Sequence, residues 1–149
     1  MQRKDLDQQI IQFFRKTYLQ VARVSLFVVF FWFGFIKLIG QSSAGPLAEA
    51  LTRKTVGEGL FHPLFLAIAL LECVIGVLFL IPKAVRITIP LLFIHMAIVC
   101  APLVLVPEMT WQAPLVPTLE GQYIIKNIVV IAVAFGVAAQ VKPLAKKNK

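Results

Sequence analysis

Two ionisable side chains lie near the middle of long apolar segments of this sequence. Glu72 is near the centre of an otherwise uncharged run of twenty residues, Pro63 to Pro82, and His95 is near the centre of the next apolar run. A charged side chain at the middle of a bilayer costs about 3 kcal/mol on insertion scales, so such residues generally have a partner or a function. A carboxylate and an imidazole can exchange protons, which is the chemistry of general acid and base catalysis. We therefore take Glu72 and His95 as the candidate catalytic residues.

The composition indicates a membrane protein. Hydrophobic residues make up 59% of the 149 residues, charged residues only 15%, and the mean hydropathy is +0.85. These values lie outside the usual range of a soluble domain. The net charge is +8, but the basic residues lie at the ends of apolar runs and form no stripe with interleaved aromatic residues. Binding to nucleic acid is therefore not expected, and the lipid bilayer is the expected partner.

Four segments have the length and composition of membrane-spanning helices, at about 19–40, 63–82, 87–107 and 121–141. Each has roughly the twenty residues that cross a hydrocarbon core about 30 Å thick. A helix satisfies its own backbone polar groups inside that core, so we expect helices rather than strands. The sequence therefore predicts an all-α protein, an integral membrane four-helix bundle in one domain covering residues 1–149.

The basic residues predict the orientation. The first loop balances its two basic residues with two glutamates, and the third loop has Glu108 and Glu120 but no basic residue. The positive-inside rule then places both termini in the cytoplasm, and an even number of spans agrees with that result. The basic residues on the predicted inner side are Arg3, Lys4, Arg15, Lys16, Lys83, Arg86, Lys142, Lys146, Lys147 and Lys149.

Two flanking segments have the pattern of amphipathic helices. Before the first span, apolar residues recur at helical spacing opposite polar ones, which predicts an N-terminal amphipathic helix lying on the inner membrane surface. In the first loop, Ser43 as N-cap, Pro46 early in the helix and Gly57 as a stop predict a short helix on the outer surface, with Leu47 and Leu51 facing inward. The apolar residues of the N-terminal helix are Leu6, Ile10, Phe13, Phe14 and Tyr18.

Counting along the helices places several polar side chains at comparable depths. At a rise of 1.5 Å per residue, Glu72 lies roughly 14 Å and His95 roughly 17 to 18 Å below the outer ends of their helices, so a hydrogen bond between them is possible where the two faces meet. Lys37 and Lys126 lie roughly 5 Å and 8 Å below the outer surface by the same count. Each lysine stem can extend inward toward Glu72 or outward to water. Asn127 adds an amide beside Lys126.

Two helix faces are expected to turn toward the bundle interior. Residues at steps of three and four share a face of the first span, and small and polar residues share a face of the second. Small residues let helices approach closely, and polar side chains supply bonds between them. The first face contains Arg23, Phe27, Phe30, Gly34 and Lys37, and the second contains Ala69, Glu72, Cys73 and Gly76.

Each of these candidates also has a purely structural explanation. Arg23, Lys37 and Lys126 can be interface anchors, and His95 can bond a backbone carbonyl. Glu72 is the hardest to explain in this way, because a carboxylate at that depth needs a partner in any case. The two cysteines form no C-x-x-C motif, and no metal-binding motif is present. We expect no metal site and no disulfide.

Three stretches of the sequence, in order, match the motifs of one family. Residues 23–26 and 31–37, RVSL and FWFGFIK, are similar to an R…(W/F)-x-G-x-x-K pattern. Residues 70–76, LLECVIG, are similar to an E-x-x-x-G element. Residues 120–127, EGQYIIKN, are similar to a G-(R/Q)-(Y/F)-x-x-K-(N/D) signature. Together they resemble DoxX-like membrane proteins, and the likeness covers residues from about 19 to 141.

The resemblance implies a four-helix protein of the bacterial cytoplasmic (inner) membrane. Such proteins include the DoxD subunit of thiosulfate:quinone oxidoreductase, the methylamine-utilisation protein MauE and the reactive-chlorine-resistance protein RclC. Most members have no assigned reaction, so the resemblance constrains the fold more than the function. His95 is not on the shared pattern, whereas the residues that fall on it are Arg23, Gly34, Lys37, Glu72, Gly76, Lys126 and Asn127.

We expect a redox-linked membrane component that binds a quinone or a similar amphiphile between the helices. A bound quinone needs apolar walls, a hydrogen-bond donor and a proton route, and the chain has all three residue types. It has no electron carrier of its own, so a membrane or peripheral redox partner would supply one. As an enzyme it would be an accessory subunit of a membrane quinone-linked oxidoreductase. The candidate cofactor-binding residues are Arg23, Trp32, Lys37, Lys126 and Asn127.

Two other functions stay open at this point. The small size and the lack of a redox motif also suit a non-catalytic assembly or stability factor for another membrane complex, and a homo-oligomer is possible. Passage of protons or a small solute is less favoured, because four helices leave little room for a pore and no inverted repeat is evident.

Overall fold

The computed structural model describes the backbone of residues 3–143 and the side chains from Asp5 onward. The tail lysines beyond Pro143 and the side chains of Arg3 and Lys4, all used for the predicted orientation, lie outside this part. The described chain is mostly helical, with one short antiparallel strand pair. The helices are α1 (Arg3–Leu38), α2 (Gly45–Thr55), α3 (Phe61–Leu80), α4 (Val85–Cys100), α5 (Pro102–Leu105), α6 (Pro107–Thr110), α7 (Leu119–Ile125) and α8 (Asn127–Ala138), and the strands are β1 (Trp111–Ala113) and β2 (Val116–Pro117).

Four helical segments are long and apolar enough to cross a membrane: Asp5–Leu38, Glu58–Leu80, Pro82–Leu105 and Leu119–Ala138. The prediction of four spans of that length and composition is confirmed. The observed ends of all four segments lie two or three residues before the predicted ones, within the usual uncertainty of helix boundaries predicted from sequence. Helices α4 and α5 together form the third segment, and α7 and α8 form the fourth.

Helix α1 is continuous through the predicted N-terminal amphipathic segment and the first span. Its 36 residues make it about 54 Å long at 1.5 Å per residue, well beyond a hydrocarbon core of about 30 Å. Residues 5–16 are exposed, and Phe13 and Phe14 are each 62% exposed. The amphipathic segment is therefore not a separate element, and its position on a membrane surface stays a prediction.

The first loop forms the short helix that the sequence predicts, with a different N-terminus. Ala44, not Ser43, occupies the N-cap position of α2, and Pro46 lies in the first turn. The Ser42 hydroxyl accepts a hydrogen bond from the Ala44 N–H at 3.3 Å, so a serine stabilises the turn one residue earlier than expected. Gly57 follows the helix with φ of 96°, a left-handed conformation that glycine adopts without steric cost.

The described chain is mostly helical, as the all-α prediction requires, and a short hairpin in the third loop is an addition that the sequence did not predict. Strands β1 and β2 pair in antiparallel fashion, joined by Pro114 and Leu115. Leu115 has φ of 63°, which corresponds to the third residue of a type II turn after proline. Thr118 begins α7: its hydroxyl donates to the Met109 carbonyl at 2.8 Å and accepts from the Gly121 N–H at 3.1 Å. These bonds attach the hairpin to the end of the helix bundle.

An exposed ion pair joins α2 to the same end of the bundle. Lys54 Nζ lies 3.4 Å from Glu108 Oε1 at the start of α6. The pKa of the Glu108 carboxyl is lowered, mainly by a hydrogen bond from its own backbone N–H and further by Lys54. Helix α2, helix α6 and the hairpin thus cover the end that the charge distribution predicts to be the outer one.

Helices α1 and α3 run antiparallel and pack closely against each other. A Cβ atom on Gly34 would lie 2.7 Å from the Ala69 carbonyl oxygen, and one on Gly76 would lie 2.8 Å from the Phe31 amide nitrogen. Only glycine permits these approaches, as the small-residue pattern predicts. The contact between these helices is also the most extensive in the structure. The two glycines lie on opposite helices and set the spacing along the pair.

We expect Gly34→Ala and Gly76→Ala to lower the free energy of unfolding. Alanine gains about 1 kcal/mol of helix propensity, but overpacking against the backbone of the neighbouring helix costs about 1–3 kcal/mol. The measurement is reversible unfolding in a detergent–denaturant titration. Gly45→Ala is the matched control, because a Cβ there meets nothing within 4 Å. Equal stability of all three variants would contradict the close packing of α1 on α3.

Candidate functional site

Lys37, Glu72 and His95 lie in contact inside the helix bundle, and we call them the buried triad. Glu72 is on α3 and is 5% exposed. Its Oε2 accepts a hydrogen bond from Lys37 Nζ on α1 at 2.6 Å, and its Oε1 lies 3.3 Å from His95 Nε2 on α4. One carboxylate therefore connects three of the helical segments that are long and apolar enough to cross a membrane. The Glu72–His95 contact that equal depth made possible is present.

Lys37 extends inward, although its stem allows either direction. It lies in the last turn of α1, its side chain is 11% exposed, and its Nζ also lies 3.5 Å from the Phe33 carbonyl. The separation of 2.6 Å from Glu72 is that of a charge-assisted hydrogen bond between an ammonium and a carboxylate. The alternative of an interface anchor therefore does not describe this lysine.

His95 has one paired and one unpaired ring nitrogen. Nε2 faces Glu72, whereas Nδ1 is buried with no hydrogen-bond partner among the residues that the structure describes. The Phe30 ring packs edge-on to the imidazole, with ring centroids 5.6 Å apart. A buried polar atom without a partner costs about 1–3 kcal/mol, and Nδ1 is the one polar side-chain atom of the triad that has none among the described residues.

Local packing explains why the triad forms. Gly34 is three residues before Lys37 on the same face of α1, and its contact with Ala69 brings α1 close to α3 at this level. Lys37 then reaches Glu72, which lies three residues after Ala69. The small and polar face of α3 is turned inward, as predicted: Ala69, Glu72 and Gly76 are buried. The predicted inward face of α1, from Arg23 to Lys37, is likewise turned toward the bundle.

Four of the predicted binding residues lie apart from the triad. Trp32 on α1 is 66% exposed and is not packed inside the bundle. Lys126 is exposed at the junction of α7 and α8, with its Nζ 4.9 Å above the Tyr123 ring, and Asn127 is half-buried beside it. Arg23 is half-buried and roughly 21 Å from Lys37 along α1. Of the five candidate binding residues, the structure brings only Lys37 to Glu72 and His95.

The sequence does not identify two neighbours of the triad, Phe30 and the Phe33 carbonyl, as parts of the site. Phe30 was predicted to face inward, but its contact with His95 depends on how α1 and α4 pack. The Phe33 carbonyl contacts Lys37 only because the lysine stem runs back along its own helix. Spacing of four residues from Phe33 to Lys37 is the one signal in the sequence that could have indicated this contact.

A shallow groove of about 240 Å³ lies on α3, lined by Cys73, Val74, Val77 and Leu78 and by no residue of the triad. Cys73 follows Glu72 directly, and its Sγ lies 3.8 Å from the Phe31 carbonyl on α1. Cys73 and Cys100 are both free thiols. Within residues 3–143, no group of three or more His, Cys, Asp or Glu side chains is arranged to hold a metal ion.

Comparisons with protein-family models, with curated proteins and with solved structures find no match for this chain. The resemblance to the DoxX-like family therefore rests on the three quoted motifs, and membership stays a prediction.

We expect Glu72→Gln to lower the free energy of unfolding by about 3–5 kcal/mol, the usual cost of leaving one member of a buried ion pair alone. Glutamine keeps the size and an acceptor oxygen for His95 but removes the negative charge beside Lys37. The double variant Lys37→Met, Glu72→Gln should recover most of the loss, since no unpaired charge then remains. The same detergent–denaturant titration measures both variants.

Lys54→Met is the matched control for an ion pair that water reaches. Both side chains of the Lys54–Glu108 pair are exposed, so its loss should change the free energy of unfolding by no more than about 1 kcal/mol.

If the double variant Lys37→Met, Glu72→Gln is as unstable as Glu72→Gln alone, the Lys37 and Glu72 charges do not compensate each other.

Proposed function

We propose that this protein binds a quinone or a similar amphiphile between its helices and acts as a redox-linked component of the membrane. The observation that carries the proposal is the buried triad, in which an ammonium, a carboxylate and an imidazole are in contact within apolar helices. Ionisable groups in such a position are expensive and generally mark a binding site or a proton route.

The surroundings of the triad support a ligand with a polar head and an apolar body. His95 has an unpaired ring nitrogen, and Phe30 provides an aromatic surface beside it. The groove along Cys73 and Val77 is apolar and begins at the residue that follows Glu72, although no residue of the triad lines it. Binding sites of this kind combine apolar walls with a few polar groups that orient the ligand. A quinone has a ring with polar oxygens and a long apolar tail, so it suits both parts.

The order of contacts in the triad supports a proton route. A proton from a ligand at Nδ1 of His95 can displace the Nε2 proton to Glu72, and the Lys37 ammonium can take that proton on only after it has released one of its own toward the nearby end of the bundle. Lys37 is close to the end of the bundle predicted to be the outer one. Electrons would come from a separate redox protein, which makes this chain an accessory subunit of a membrane quinone-linked oxidoreductase. Its location in this proposal is the bacterial inner membrane, with both termini cytoplasmic.

Quinone content of the purified protein tests this function. Protein extracted in nanodiscs of native lipid should carry near-stoichiometric quinone, above the quinone-to-phospholipid ratio of the bulk membrane, as measured by mass spectrometry of the lipid extract. The double variant Lys37→Met, Glu72→Gln should lose that excess, because it keeps charge balance but removes the carboxylate that orients His95. Glu49→Gln, which alters an exposed carboxylate, is the control and should retain it. No excess in the unmodified protein would refute the proposal.

A second candidate function has one observation in its favour. The first part of α1, residues 5–16, is exposed and carries both apolar and charged side chains. A non-catalytic assembly or stability factor could use this segment to contact another membrane complex. Deleting residues 1–14 should then abolish crosslinking to one stoichiometric partner without changing the quinone content. Unchanged crosslinking would remove the support for this function.

A further inference from the structure

The unpaired ring nitrogen of His95 restricts the chemistry of any ligand at the triad. His95 is 2% exposed, so bulk water does not reach its Nδ1. That atom has no hydrogen-bond partner within the described part of the chain, whereas Nε2 lies 3.3 Å from Glu72 Oε1. Buried polar atoms of folded proteins nearly always bond to protein, ligand or ordered water. The kind of ligand that fits there depends on whether Nδ1 donates or accepts.

The charges of the triad decide the protonation of His95. Lys37 and Glu72 are 2.6 Å apart and neutralise each other. A protonated imidazole would add one positive charge without a counter-charge in an apolar region, which is strongly unfavourable. His95 is therefore neutral when the ion pair is intact, and a neutral imidazole carries one N–H and one acceptor nitrogen.

The contact with Glu72 decides which nitrogen holds the proton. An ionised carboxylate only accepts hydrogen bonds, so the N–H of His95 must be on Nε2, which faces Oε1. The bond made by one ring nitrogen sets the state of the other. Nδ1 is therefore an acceptor, and a partner for it must be a donor.

We infer that the buried triad selects a hydroxyl-bearing ligand, with Nδ1 of His95 accepting a hydrogen bond from a quinol or a similar phenol. The carbonyl of an oxidised quinone is itself an acceptor and would face the lone pair of Nδ1. Phe30, whose ring lies edge-on to the imidazole, is an aromatic neighbour against which a phenol ring can pack. This inference rests on the proposed function and specifies the redox form of its ligand.

Binding of the two redox forms tests the inference. Decylubiquinol and decylubiquinone are titrated anaerobically into the full-length protein in nanodiscs of defined phospholipid. The unmodified protein should bind the quinol at least about tenfold more tightly, since one hydrogen bond replaces an acceptor–acceptor contact. A quinone that binds as tightly as the quinol, or more tightly, would overturn the inference and leave the proposed function standing. If neither form binds, both fall.

Two substitutions separate the two ring nitrogens. The amide of His95→Gln lies near the position of Nε2, so this variant keeps a donor for Glu72 but loses the acceptor at Nδ1, and its preference for quinol should disappear. The amide oxygen of His95→Asn lies near the position of Nδ1, so this variant should retain the preference. His62→Gln, at the exposed second histidine, is the matched control and should behave as the unmodified protein. Equal preferences in the His95→Gln and His95→Asn variants would exclude Nδ1 as the selecting atom.

Nitrogen NMR provides a readout that does not depend on affinity. In His62→Gln protein labelled with ¹⁵N-histidine, His95 is the one remaining histidine, because the chain contains two. Its spectrum should be that of a neutral ring with the proton on Nε2, and decylubiquinol, but not decylubiquinone, should shift the Nδ1 resonance. A proton on Nδ1, an imidazolium, or an Nδ1 resonance unaffected by quinol would overturn the inference.

Discussion

The interior of the bundle depends on the ion pair between Lys37 and Glu72. Neither charge is tolerable alone in an apolar helix, and at 2.6 Å each provides the counter-charge of the other. The pair links the end of α1 to the middle of α3, and Glu72 holds His95 of α4 through its second oxygen. Removing either partner leaves an unpaired buried charge. The relative positions of these three helices therefore depend on one carboxylate.

The glycine contacts make that ion pair geometrically possible. Gly34 and Gly76 let the backbones of α1 and α3 approach above and below the level of Glu72, so that a lysine near a helix end can reach a carboxylate near a helix centre. The site and the most extensive helix contact of the fold are therefore in the same region. Substitutions that separate α1 from α3 should disturb the proposed function as well as the stability.

The three side chains of the triad differ in how many of their polar atoms have partners. This difference determines which atom a ligand would contact in the proposed function. Glu72 is occupied on both oxygens and Lys37 bonds to Glu72 and lies near a backbone carbonyl, whereas His95 has a free acceptor. A ligand therefore meets the triad at the imidazole and not at the charged pair. A neutral hydroxyl can bond there without disturbing the ion pair, whereas a ligand with only acceptor atoms would face the lone pair of Nδ1.

The sequence alone determined the four apolar helices, the inward faces of α1 and α3, and the similar depths of Glu72 and His95, because residue spacing and a constant helical rise are local properties. It could not determine the direction of Lys37, since a flexible stem reaches either water or a buried carboxylate. It also missed the hairpin, whose strands are too short to show an alternating pattern, and separated an amphipathic segment that continues into α1 without a break. Only the tertiary structure decided that Lys37, and not Lys126, joins Glu72, because that choice depends on which helices pack closely enough to exclude water between them.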